Sequence, residues 1–146
     1  VAIAVATVLG VGRAPLAPGT VASALTVVAI WLASLSAPVL AVALVAVTVL
    51  GTWAADASER ALGGKDPGAI VIDEVAGMTL AVLIVPPTPL VLAVAFVLFR
   101  VFDVLKPFPA NVAQQLRGGV GVMVDDLVAG LYALVLVTLA RTAGWL

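Results

Sequence analysis

Residues 70–85 read IVIDEVAGMTLAVLIV, and the only charges in the stretch are Asp73 and Glu74, side by side near its start. Such a run is too apolar to face water and reads as a helix entering hydrocarbon from a polar edge. The pattern recurs at Val21–Ser36, Val39–Ala55, Leu90–Leu105 and Leu127–Ala140. Each run falls somewhat short of the roughly 20 residues that cross a bilayer. The expected fold is all-α: a multi-pass membrane helical bundle of about five short spans, one domain over residues 1–146, with its polar segments gathered at one face.

Composition supports this. Of 146 residues, 64% are apolar and 10% charged, against about 25% charged in a typical soluble domain. The mean hydropathy is +1.28. Seven basic and eight acidic side chains give a net charge of −1, so there is no polycationic face and no nucleic-acid partner is expected. Cysteine and histidine are both absent. Chemistry in this chain must therefore run on carboxylates, Lys, Arg, hydroxyls and a metal. The sequence specifies no oligomeric state.

Prolines punctuate the runs. Pro38 makes a tight hairpin of the first pair, and Pro86, Pro87 and Pro89 do the same for the second. Asp56–Gly68 reads as a polar segment between the hairpins, Pro107 and Pro109 end the fourth run, and Arg117–Gly121 is a Gly-rich approach to the last. Val1–Val11 reads as a short helix, or else as a sixth span. With five crossings, all eight carboxylates and every basic residue except Arg141 share one side, which the positive-inside rule makes cytoplasmic. The expected location is a bacterial cytoplasmic (inner) membrane.

Two acid doublets open apolar helices: Asp73-Glu74 with Gly77, and Asp125-Asp126 with Gly130. Each Gly lies four residues after an acid (Asp73, Asp126), hence on the same helical face. Gly permits close helix approach, so the two helices can bring their carboxylates together. Capping of helix N-termini is the competing reading. Carboxylates at membrane depth are costly and are retained mainly for function. Without His or Cys, such a cluster suits a hard cation, Mg²⁺ first. The candidate metal ligands are Asp73, Glu74, Asp125 and Asp126. These four, with Asp103 close by, are also the candidate catalytic residues.

Arg100, Asp103 and Lys106 recur every three residues along one helical flank. They suit a phosphate and its metal, or else form a snorkelling pair balanced by one acid. Pro18-Gly19-Thr20 with Ser23 offers backbone N–H groups and hydroxyls at a helix start, and Lys65 lies in a Gly-rich turn. Thr20, Lys65, Arg100 and Lys106 are the candidate phosphate-binding residues.

In order along the chain, Pro18-Gly19-Thr20, Lys65-Asp66-Pro67, Ile70–Gly77, Phe99–Pro109 and Gly118–Asp126 with Ala129-Gly130 resemble the phosphatidylglycerophosphatase A family of bacterial membrane enzymes. The chain departs from that pattern at Ala22, where many relatives carry Gly. The resemblance implies an all-helical fold and Mg²⁺-dependent hydrolysis of phosphatidylglycerophosphate to phosphatidylglycerol and phosphate, with a phospholipid in the bilayer as substrate. The alternative is a small ion- or proton-coupled transporter using the same acids. It would place polar groups near mid-depth on broken helices, whereas this chain keeps its span middles apolar.

Overall fold

Apolar stretches broken by Pro and Gly give helices and nothing else. The computed structural model describes residues 1–64 and 67–146. Among them are seven α-helices, one 3-10 turn and no strand. They are α1 (Ala2–Ala6), the 3-10 turn Val11–Arg13, α2 (Pro18–Ala33), α3 (Ala37–Leu62), α4 (Ile72–Ala81), α5 (Pro89–Leu105), α6 (Ala110–Ala113) and α7 (Gly119–Thr142).

The prolines act as expected. Pro18, Pro38 and Pro89 each sit in the first turn of a helix, where a missing N–H costs nothing. Pro107 stops α5, and Lys106 takes a left-handed conformation (φ 45°) as its C-cap. α3 runs past the expected end of its apolar run. Nothing in Asp56–Leu62 breaks a helix, so it continues until Gly63 supplies a left-handed cap (φ 73°). The segment expected as a polar loop is thus helical as far as Leu62, and Ser58 is fully buried in it. α7 starts eight residues before the expected Leu127. Gly119 packs directly on the Thr52 and Asp56 backbone of α3, where a Cβ would lie 2.8 Å from Asp56 N. That contact holds a Gly-rich stretch in a helix its propensity disfavours.

Among the described residues, only α3 and α7 are long and apolar enough to cross a membrane, which corrects the expectation of five spans. Their 26 and 24 residues reach about 39 and 36 Å, against a hydrocarbon core of roughly 30 Å. α2 and α5 are shorter, and α4, expected to fill Ile70–Val85, has ten residues, about 15 Å. α4 is short because it lies inside the bundle: seven of its ten residues are buried, against α2, α3, α5 and α7. α1 has five residues and no span's length; its Ala6 carbonyl accepts a 2.9 Å bond from Val71 N. Only 17% of the most apolar stretch of α3 is buried. Its Val42, Val45, Val49 and Trp53 point outward, as suits a helix facing lipid and not the core helix of a soluble domain.

Two apolar cores divide the bundle. The larger joins Ile30, Leu40, Val85, Leu92, Phe99 and Val137. The smaller joins Ala6, Ala54, Ile70, Ile72, Val122 and Met123. The N-termini of α2 and α4 and the C-termini of α3 and α5 meet the first turns of α7 at one end. That end carries the acids.

Candidate active site

α4 and α7 cross where each carries a glycine. A Cβ on Gly130 would lie 3.0 and 3.1 Å from the carbonyl carbon and Cα of Gly77, and one on Gly77 would lie 2.6 Å from the Asp126 carbonyl oxygen. Backbone therefore rests on backbone, one turn from an acid on each helix. The result is the convergence that the spacing of Asp73 and Asp126 from their glycines implies. Asp73, Glu74 and Asp126 each present a carboxylate oxygen, and these oxygens lie within 4.8 Å of one another. Asp73 and Asp126 are buried and Glu74 is half-buried.

α5 forms the third wall. Arg100 pairs with Asp103 at 2.7 Å, and Lys106 lies 3.9 Å from Asp103 while pairing directly with Asp125. Arg100, Asp103 and Lys106 are only 20%, 11% and 27% exposed. They turn into the bundle, which removes the snorkelling reading. Asp103 interacts in turn with Asp126 and Glu74, so the three-residue flank of α5 is continuous with the acid cluster. Burial lowers the affinity of Lys106 for its proton. The Asp125 carboxylate hydrogen-bonded to it, together with Asp126 and Asp103, more than offsets this and raises its pKa above the ordinary 10.5. The Tyr132 hydroxyl of α7 donates a 2.6 Å bond to the Phe108 carbonyl, and its ring packs tilted against Phe102, with centroids 5.3 Å apart. These contacts pin the turn that carries Lys106.

The fourth wall is the start of α2. Gly19 abuts the Glu74 carboxylate so closely that a Cβ would fall 2.9 Å from its Cδ. The anion nearest this positive helix end is therefore Glu74 itself. Thr20, one residue on, lines a surface groove with Arg100. Ser23 is buried and donates to the Gly19 carbonyl at 2.8 Å, so its hydroxyl is spent within the helix.

Of the expected site residues, Asp73, Glu74, Asp103, Asp126, Arg100 and Lys106 come together, and Thr20 borders them. Asp125 lies outside the three-carboxylate cluster; Lys106 takes its Oδ2, and its Oδ1 accepts the Asp126 N–H at 3.1 Å. Lys65 lies outside the described residues. The helix-end reading fails for Asp125 and Asp126, which lie beyond the first turn of α7. Asp73 and Glu74 lie in the first turn of α4, where they also suit the helix dipole, but the N-cap itself is Val71. Sequence reading passed over Tyr132 and the role of Gly19 as a seat for Glu74. A Gly directly after a Pro at a helix start, where it costs helix propensity, was the available signal.

The donor set suits a small hard cation. It consists of carboxylate oxygens from two helices locked together by Gly77 and Gly130, with Glu74 Oε2 and Asp126 Oδ2 buried and holding no hydrogen bond among the described residues. Buried carboxylate oxygens without donors are costly, and a divalent cation is the partner that would satisfy several at once.

Comparison with known proteins gives the family. The family model described as Phosphatidylglycerophosphatase A matches residues 4–141. A Bacteroides thetaiotaomicron protein, provisionally named a phosphatidylinositol-3-phosphatase, is 38% identical over 95% of this chain and 92% of its own length. Proteins named phosphatidylglycerophosphatase A are similar too. The one from Escherichia coli is 33% identical over 83% of this chain and 72% of its own, and the one from Haemophilus influenzae is 38% identical over 61% and 56%. No solved structure matches the chain.

Proposed function

The chain belongs to the phosphatidylglycerophosphatase A family, a family of phosphoric monoester hydrolases, and from that premise we propose that it hydrolyses phosphatidylglycerophosphate to phosphatidylglycerol and phosphate, with Mg²⁺ as cofactor. The observation that carries the reading is the meeting of Asp73, Glu74 and Asp126 within 4.8 Å, beside a half-buried Arg100–Asp103–Lys106 flank. Acids to hold a metal and cations to hold a phosphate lie side by side at one end of an apolar bundle.

Asp73, Glu74 and Asp126 would hold the Mg²⁺. The chemistry it supplies when bound is polarisation of the phosphoryl oxygens and activation of water. Arg100 offers a planar fork of donors to the phosphate. Lys106 has three N–H donors, and Asp125 takes one, so donors remain for the substrate. Asp103 fixes the Arg100 guanidinium, and the surrounding apolar wall excludes bulk water, which strengthens each of these interactions. In the net reaction a water oxygen joins phosphorus, the bond to the lipid oxygen breaks, and that oxygen takes up the proton.

The transporter reading is not favoured: the acids gather at one end of the bundle and the family is one of phosphatases. A phosphoinositide remains a second substrate, on the strength of the Bacteroides relative's name. A single assay decides. Purified protein in detergent, offered phosphatidylglycerophosphate, phosphatidylinositol 3-phosphate and phosphatidic acid, should release phosphate fastest from the first. EDTA should abolish release and Mg²⁺ restore it. Full activity in chelator, or preference for another head group, overturns the proposal. We also propose that the acid end faces the cytoplasm; reporters fused after Gly64 and after Leu116 should both read cytoplasmic, and opposite readings would break the shared site.

A further inference from the structure

Two open grooves meet at Phe96, between the antiparallel helices α2 and α5. One, of about 260 Å³, runs between Ala24, Val28 and Trp31 on one side and Leu92, Ala93 and Phe96 on the other. The second, of about 520 Å³, continues over Phe96, Val97, Val101 and Val104 and ends at Thr20 and Arg100. Among the described residues lining this path, Thr20 and Arg100 bring a hydroxyl and a charge, both at the same end, and the others are apolar apart from the Trp31 indole N–H. That end is continuous with the site: Gly19, beside Thr20, abuts Glu74, and Arg100 pairs with Asp103.

We propose that the α2–α5 cleft holds an acyl chain of the lipid substrate, with Thr20 and Arg100 receiving the phosphate end and Trp31 marking the depth the chain reaches. The inference rests on the lipid-phosphatase reading. Length agrees with it. The eleven residue steps from Thr20 to Trp31 rise about 16 Å, close to the ~15 Å depth of one leaflet's hydrocarbon. Polarity agrees as well, since a phosphomonoester on an acyl chain is charged at one end and apolar along the rest, as the cleft carries the Arg100 guanidinium and the Thr20 hydroxyl at one end and is apolar along the rest. The cleft opens sideways. A lipid can therefore slide in from the bilayer without its tails crossing the polar end.

The test fills the cleft without touching the acids. Ala93 and Val28 are exposed on its two walls, and Val42 is exposed on α3, away from it. Ala93→Trp and Val28→Trp, made separately, should each lower kcat/KM for dioleoyl phosphatidylglycerophosphate at least about 10-fold, chiefly through KM. Each should leave turnover of a water-soluble glycerol phosphate analogue without acyl chains within about twofold of wild type. Val42→Trp should change neither. Equal effects on both substrates, or none on either, in a cleft variant that retains wild-type thermal stability overturn the proposal. Failure of the wild type on both substrates would instead sink the phosphatase reading.

Discussion

Asp73-Glu74 and Asp125-Asp126 look like copies of one device: two adjacent acids, then a glycine four residues after one of them. In the fold they differ. Asp73 and Glu74 lie in the first turn of α4, and both reach the cluster. Asp125 and Asp126 sit two turns inside α7, where neighbours point about 100° apart around the axis. Asp126 faces Glu74 and Asp73, while Asp125 turns to Lys106 of α5. An acid pair at a helix end can act as a unit, but one inside a helix is divided between two partners. The comparison therefore assigns unequal roles to residues that sequence treats alike.

The largest expected effect separates ligands from bystanders. Asn matches Asp in shape but is a poorer ligand without the anionic charge. Asp126→Asn and Asp73→Asn should each insert and fold, yet lose at least about 100-fold in kcat/KM, roughly 2.7 kcal/mol of transition-state stabilisation. High Mg²⁺ should recover part of the loss. Steady-state kinetics against Mg²⁺ concentration checks this, and near-wild-type turnover in both variants would move the catalytic cluster elsewhere.

The next effect probes the glycines that make the two helices meet. Ala at position 130 would drive a Cβ into the Gly77 backbone, which cannot yield as a side chain can. Gly130→Ala should force the helices apart and cost about 1–3 kcal/mol of stability, with a loss of about 30-fold in rate as Asp126 leaves its partners. Gly68→Ala is the control, since its Cβ would enter open space. Thermal unfolding in detergent, read beside activity, tests both. A fully stable and active Gly130→Ala would mean that the crossing is looser than the contact implies.

What was legible in the sequence followed from chemistry that repeats along the chain. The apolar runs gave the helices, Pro38, Pro89 and Pro107 gave their limits, and the Asp–Gly spacing gave the α4–α7 contact. What escaped depended on tertiary context. Hydropathy cannot say that Ile70–Val85 contains a ten-residue helix wrapped by its neighbours and not a full span. It ended α3 at the first charge, though Asp56 and Arg60 pair one turn apart on a continuing helix. It began the last run at Leu127, after the charges of Asp125 and Asp126, and read Arg117–Gly121 as a Gly-rich approach, which the packing of Gly119 on α3 holds in a helix. The parting of Asp125 from Asp126 escaped because it depends on where Lys106 stands at the end of α5, which takes Asp125 as its partner.

The smallest effect sharpens the comparison most, because it asks what Asp125 does. If Asp125 acts only by holding Lys106, then Asp125→Asn should cost about fivefold in kcat/KM and leave the Mg²⁺ dependence where it is in wild type. Lys106→Met removes the cation and leaves Asp125 buried at 3% exposure without its partner, an arrangement that is costly in itself. Adding Asp125→Asn to Lys106→Met should therefore cost nothing further, or recover part of the loss, giving a strongly non-additive cycle. The raised Lys106 pKa fixes the pH range for the measurement. On the lysine side the pair's contribution is complete below the ordinary value of 10.5 and is lost as pH rises through the higher folded value, so deprotonation of Lys106 does not weaken the coupling at neutral pH. If Asp125 were a metal ligand instead, its substitution would cost the same with or without Lys106 and would raise the Mg²⁺ requirement, as for Asp126. Additive losses with a shifted Mg²⁺ dependence would restore the two doublets to equal standing.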